Sequence, residues 1–180
     1  IIRNDGTALP RAATEGARPG GARGGTTFTF TVTRTGDLSG AASAQWAVAG
    51  SAVTGADFAG GVLPSGTVSF AAGETSKVIT IEVAGDSTVE PDEAFSVTLS
   101  SPSTGTNLGT ASATGIIRND DNSLSIAATS ADKPEGDSGG TTFTFTVTRT
   151  GDLSAAASAQ WTGAAPACTR AALASGVLRS

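Results

Sequence analysis

The run TTFTFTVTRTGDLS at 26–39 recurs letter for letter at 141–154, an offset of 115 residues. The same offset carries IIRND at 1–5 onto 116–120 and GAASAQW at 40–46 onto AAASAQW at 155–161, with no gap. Self-similarity at one fixed spacing is the signature of a repeat architecture, and a period this long implies whole domains in tandem, not solenoid coils. The chain reads as the tail of one unit (1–5), a nearly complete unit (6–121) and the first part of another (122–180). It begins without an initiator Met or a signal segment, so it is expected to be a piece of something longer.

Two stretches break the repeat. Residues 6–25 differ from 121–140, and 162–180 differ from 47–65, at more than half of their positions. Both divergent segments are rich in Arg, Ala, Gly and Pro. Local out-of-frame reading of GC-rich DNA and ordinary divergence both account for them. In the first, Arg11 stands where the partner repeat has the apolar Ile126, which predicts a loosely held first strand.

Period-2 alternation is clearest in TTFTFTVTR, where Phe28, Phe30 and Val32 face one way and Thr27, Thr29, Thr31 and Thr33 the other. The apolar side is expected to pack and the Thr side to meet solvent. Similar half-buried strands run through Ala44, Trp46 and Val48; Val68 and Phe70; Ile79, Ile81 and Val83; and Phe95, Val97 and Leu99. Trp46 and its repeat equivalent Trp161 sit inside such alternation and are read as packing residues, not sugar platforms. Turn-rich stretches at Gly36-Asp37, 72–74 and 101–109 separate the strands. About seven strands fit one unit, an all-β, immunoglobulin-like antiparallel Greek-key sandwich that needs no disulfide.

Composition narrows function. The chain has no His, one Cys (Cys168), 16 acidic and 11 basic residues and a net charge of -5. That removes Cys/His zinc clusters and every imidazole-based catalytic arrangement, and Lys77 and Lys133 lie in no SxxK context. The chain is read as a non-enzyme. Its charge disfavours nucleic acid and anionic membranes. No apolar run approaches the roughly 20 residues of a membrane helix, so direct membrane insertion is not expected.

The carboxylates are unevenly placed. Asp86, Glu90, Asp92 and Glu93 crowd the segment GDSTVEPDEAF, Asp120 and Asp121 follow the last strand, and Asp57 stands in the loop TGADF. Like charges about 4 Å apart repel by roughly 4 kcal/mol at an effective dielectric near 20, so a converging cluster opposes folding unless a cation neutralises it. Hard oxygen donors suit Ca²⁺, which takes 6 to 8 oxygens in flexible geometry. A solvated acidic loop is the other reading that spacing leaves open.

From Asp57 to Leu99 the pattern DF..G.L..G.VSF..GE..K.I.I.V..D...E.DE.F.V.L resembles the Calx-β domain, with IIRNDD a family-type ending and PEGDSGGTTFTFTVTRTG at 134–151 similar to its opening strands. The resemblance implies an immunoglobulin-like sandwich of the kind found in sodium/calcium exchangers, an integrin β chain and repeats of large bacterial surface proteins. It implies Ca²⁺ ligands at Asp57, Asp86, Glu90, Glu93, Asp120 and Asp121. The family's early-strand Glu is Glu135 in the partial unit. Its equivalent in the complete unit is Gly20, and Glu15 reaches that place only by sliding five residues. Gly85 and Asn119 occupy positions that are acidic in strong binders, and Ala172 aligns with Asp57, so the expected affinity is weak, about 10⁻⁴ to 10⁻³ M.

The function this implies is a Ca²⁺-binding structural or adhesive repeat at a bacterial cell surface or in a secreted protein. Its partners would be neighbouring repeats of the same chain, and bound Ca²⁺ would stiffen the junctions between them. A metal-free adhesion module and an exchanger-type Ca²⁺ sensor are the alternatives.

Overall fold

A computed structural model describes residues 7–9, 18–19, 24–134, 136–163 and 175–179, of which 7–9, 18–19 and 175–179 are described as backbone. The chain divides into two compact units, Ile1–Asp120 and Asp121–Ser180. The first holds β1 (Thr7–Leu9), β2 (Arg18–Pro19), β3 (Thr26–Thr33), β4 (Thr35–Gly36), β5 (Ala42–Ala49), β6 (Ser65–Phe70), β7 (Ser76–Val83), β8 (Glu93–Ser100), β9 (Thr106–Leu108) and β10 (Ser112–Arg118). A single 3₁₀ turn, Gly55–Asp57, interrupts the connection from β5 to β6. Among the described residues there is no α-helix, and none long and apolar enough to cross a membrane.

The alternating sequence sets which strand faces meet. One layer is built on the ladder β3–β7 and the other on the five-stranded sheet β2–β10–β8–β5–β6, while β4–β1–β9 form a separate small sheet. Phe28, Phe30 and Val32 are fully buried, and Ile79, Ile81 and Val83 join them from β7. They pack with Val48, Val68, Phe70, Phe95, Val97, Leu99 and Ile117 of the five-stranded sheet. Trp46 lies against the rim of this core, as its strand position predicts. The sandwich and the core strands therefore follow the sequence expectation.

Three details differ from it. Among the described residues ten strands form instead of about seven, because β1, β2, β4 and β9 are pieces of two or three residues. Nor is pairing wholly antiparallel, since β1 runs parallel to β9 and β2 parallel to β10. β1 and β2 therefore belong to different sheets, β1 beside β9 and β2 at the edge beside β10. The Thr side of β3 is half-buried rather than exposed, and Thr27 donates to Glu82 Oε2 at 3.0 Å across the ladder to β7. The expectation built on Arg11 falls outside the described residues, as do Gly20, Cys168 and Ala172.

Phe95 is the hub of the core. Its ring meets Phe28, Phe30 and Phe58 edge-on at centroid distances of 5.2, 6.0 and 5.8 Å, the arrangement that aromatic quadrupoles favour. Its open face is covered by backbone: Gly115 pairs opposite it across β8–β10, and a Cβ there would lie 2.5 Å from the ring.

A buried cation closes the far end of β3. Arg34, 3% exposed, donates to the carbonyls of Ala71, Asp37 and Gly40 at 3.2, 3.1 and 2.7 Å. Three carbonyls thus solvate a charge that would otherwise be expensive to bury. Nearby, the Asp37 carboxylate accepts from the Ser39 amide and hydroxyl, which holds its pKa below the usual value. Sequence reading had assigned Arg34 no role.

The second unit repeats part of this plan. It pairs β11 (Asn122–Ser130) with β12 (Thr144–Gly151), and β13 (Ser158–Thr162) with β14 (Ser175–Arg179). Its Arg149 and Asp152 reproduce the Arg34 corner: Arg149 donates to Asp152 O at 2.9 Å, and Ser154 N–H to Asp152 Oδ1 at 3.0 Å.

Gly115→Val should destabilise the fold by about 1–3 kcal/mol, the usual cost of overpacking, and so lower the melting midpoint. Strand propensity alone favours Val over Gly, so a thermal melt showing an unchanged or raised midpoint would refute the close packing on Phe95.

Candidate functional site

Phe58 is the anchor of the acidic end of the first unit. It is 1% exposed and inserted against Phe95, and its backbone bridges Val83 at the end of β7. The Ala59 amide donates to Glu82 O at 3.0 Å and the Ala84 amide to Asp57 O at 2.9 Å. An apolar side chain thus fixes the backbone of its neighbour Asp57 beside the strand that leads into the acidic segment.

The Asp57 side chain is fixed by a helix cap. Thr54 precedes the 3₁₀ turn, and Asp57 Oδ2 accepts from the Thr54 amide at 2.5 Å and from its hydroxyl at 3.1 Å. The Thr54 hydroxyl accepts in turn from the Ala56 amide at 3.3 Å. This reciprocal capping box satisfies donors that the turn leaves open. A carboxylate offers about four lone-pair positions, so the cap orients Asp57 without exhausting its capacity to ligate.

Asp57, Glu90 and Glu93 converge: each offers a carboxylate oxygen, and these oxygens lie within 4.8 Å of one another. Glu93 opens β8 and is half-buried, whereas Glu90 is exposed on the preceding loop. Burial pushes the Glu93 carboxyl above its usual range, and the charges of Asp57, Glu90 and Asp86 push it further in the same direction. Repulsion at this spacing is on the order of 1 to 4 kcal/mol per pair between the bulk-water and near-surface limits. The site therefore concentrates the negative charge of three carboxylates within a few ångströms.

Asp86 belongs to the field of this cluster but not to the three-oxygen group; its Oδ1 accepts from the Thr88 amide at 2.6 Å and shapes the loop. Asp120 and Asp121, both half-buried, also stand outside that group. Glu15 and Glu135 fall outside the described residues.

Two residues that sequence reasoning set aside hold the loop in place. Asn119 Oδ1 accepts from the Glu90 amide at 3.0 Å, while the Asn119 amide donates to Asp92 Oδ1 at 3.1 Å. Asp92 also pairs with Arg118 at 3.7 Å. Asn119 thus positions the backbone of a carboxylate residue. The spacing in sequence carried no signal for this contact, because it joins a loop to a strand end 29 residues away.

The donor set is oxygen only, charged and convergent. Three carboxylates supply at most six oxygens, and the rest of a Ca²⁺ shell would come from backbone carbonyls and water. The geometry fits a hard cation and offers nothing to soft-metal chemistry.

The family model for the Calx-beta domain matches residues 21–122. The fold is similar to the crystal structure of the apo-form Calx CBD1 domain, with 28% identity, a TM-score of 0.55 and coverage of 64% of this chain and 98% of that one. It is also similar to the calcium binding domain CBD12 of CALX1.1 (29% identity, TM-score 0.53, coverage 72% and 49%) and to CBD12 from CALX1.2 (30%, 0.52, 71% and 52%). The chain therefore spans about half the length of the two CBD12 chains. No curated protein sequence matches it. With the match covering more than half its length, and Phe58, Phe95 and the acidic loop arranged as described, the chain belongs to the Calx-beta domain family.

Proposed function

We propose that the first unit binds Ca²⁺ through Asp57, Glu90 and Glu93, with Asp86 strengthening the field, and that it serves as a structural or adhesive repeat of an extracellular protein. The observation that carries this reading is the convergence of three carboxylates on a half-buried Glu93. Apo, the cluster is held together against its own repulsion by the Phe58 anchor, the Thr54 cap and the Asn119 clip. A divalent cation removes that repulsion, so binding and folding reinforce each other. The likeness to a chain named as a calcium binding domain supports the same cation.

The spacer role rests on the 115-residue repeat and its near-identical segments. Stiffening of successive units is the finer part of the proposal and rests on the position of Asp120 and Asp121 in the sequence, where one unit gives way to the next. Small-angle scattering with Ca²⁺ and with chelator tests it; superimposable profiles would remove stiffening while leaving binding intact. A sensor of the exchanger type is the second reading, favoured by the similarity to Calx CBD1.

Calorimetric titration should give a saturable Ca²⁺ heat with Kd of about 10⁻⁴ to 10⁻³ M. Asp57→Asn and Glu93→Gln should each weaken it by about tenfold or more, as loss of a charged ligand in a shared site implies. Asp92→Asn should leave the affinity nearly unchanged while lowering the melting midpoint, because Asp92 holds Arg118 and Asn119. At 100 times Kd, Ca²⁺ should stabilise the fold by about 2.7 kcal/mol. Absence of heat, or equal binding by Glu93→Gln, would reject the site.

The raised Glu93 pKa gives a second test. A carboxyl that binds its proton more tightly folded than unfolded makes the metal-free fold gain stability as pH falls through its raised folded pKa, and the gain is complete below the unfolded value. In the same window protons compete with Ca²⁺, so affinity should begin to fall at a higher pH than an ordinary Glu would give. In chelator, Glu93→Gln should flatten the acid-side gain in thermal stability; an unaltered pH profile would show that Glu93 does not sense its neighbours.

A further inference from the structure

Packing uses only part of Trp46. The residue stands on the core side of β5 and touches the core rim, yet it is half-buried where Ala44 and Val48 on the same face are buried. The reason lies across the ladder. Trp46 pairs with Gly66 on β6, and a Cβ at Gly66 would lie 3.0 Å from the indole Nε1 and 3.1 Å from Cε2 and Cζ2. The missing side chain lets the ring reach over the edge strand of the five-stranded sheet. A buried indole N–H ordinarily finds a partner, but among the described residues the Trp46 Nε1–H donates to no acceptor.

A cleft opens beside the ring. It measures about 430 Å³ and runs between β6 and β7, edge strands of the two layers among the described residues, with Trp46 beside Thr67, Ser69, Lys77 and Thr80. A second cleft of about 340 Å³ meets it at Trp46 and Thr67 and adds Gln45 and Ser65. Small-molecule sites occupy about 300–1,000 Å³.

The lining narrows the occupant. No carboxylate borders either cleft, so the ligand is not a metal ion. The charge that Lys77 brings is paired with Glu74 at 2.8 Å, so an anion is not required. What remains is an aromatic ring with an N–H donor, flanked by hydroxyls and an amide. Only Thr67–Ser69 of β6 and Lys77–Thr80 of β7 border the larger cleft, which is shorter than the roughly 5–6 residues of an ordinary added strand.

We infer that Trp46 and this cleft bind a neutral carbohydrate, with one pyranose ring stacked on the indole. A pyranose is apolar on its faces and polar around its rim. Its polarised C–H groups meet the negative face of the indole, and its hydroxyls reach the Trp46 Nε1–H and the hydroxyls of Thr67 and Thr80. The site shares no residue with the carboxylate cluster and does not depend on Ca²⁺.

The test is titration of the ¹⁵N-labelled full chain, in chelator, with cellobiose, maltose and lactose, followed by NMR. The expected result is a saturable shift of the Trp46 indole N–H and of amides in 66–69 and 77–80 with at least one sugar. Trp46→Phe keeps an aromatic ring on the core rim but removes the N–H, and should weaken binding by about three- to tenfold. Thr67→Val, on the exposed side of β6, should weaken it by about threefold with an unchanged melting midpoint. No shift with any of the three sugars would overturn the inference, as would a shift confined to Trp161 or an affinity that neither substitution alters. A peptide with the sequence of residues 76–83 that moves the Trp46 resonance while the sugars do not would make the occupant an extended chain and overturn it too.

Discussion

The packing of Phe58 against Phe95 links the two halves of this molecule's physics. Phe95 gathers Phe28, Phe30 and Phe58 into one aromatic cluster, and Phe58 is the only member of it that comes from a loop. By burying its ring, it draws the middle of the β5–β6 connection onto the last residue of β7, and Asp57 arrives with it. Burial of one aromatic side chain contributes about 1.5–3 kcal/mol. That is comparable to the repulsion it works against when it places Asp57 near Glu90 and Glu93, so the core holds the cluster together before any cation arrives.

The remaining restraints on the cluster are hydrogen bonds, each from a different part of the chain. Thr54 orients the Asp57 carboxylate, Asp86 turns its own loop, and Asn119 ties Glu90 and Asp92 to the end of β10. None adds charge to compensate the carboxylates. The result is a preorganised anionic pocket whose cheapest relief is a hard divalent cation or, at lower pH, a proton on Glu93.

Much of the fold was legible in the sequence because strand alternation reports burial directly. Phe28, Phe30, Val32, Ile79, Ile81, Val83, Phe95, Val97 and Leu99 were all read as inward-facing and all are buried. What stayed hidden was non-local. The parallel pairing of β1 and β2, the carbonyl cage of Arg34 and the glycine face under Phe95 depend on partners that no local pattern names. The site divides the same way. Asp57, Glu90 and Glu93 were legible through the family resemblance, whereas the roles of Thr54, Asn119 and Asp92 come from contacts that only the folded backbone creates.

The central claim is that Asp57, Glu90 and Glu93 share one cation. Its most direct test is diffraction from a crystal of this chain grown in Ca²⁺, with anomalous differences collected at long wavelength. The account predicts one anomalous peak within coordination distance of all three carboxylates, about 2.3–2.6 Å from their oxygens, and its loss in Glu93→Gln. A structure at saturating Ca²⁺ with no peak among these residues, or with the ion held elsewhere while the three carboxylates remain free, would contradict it.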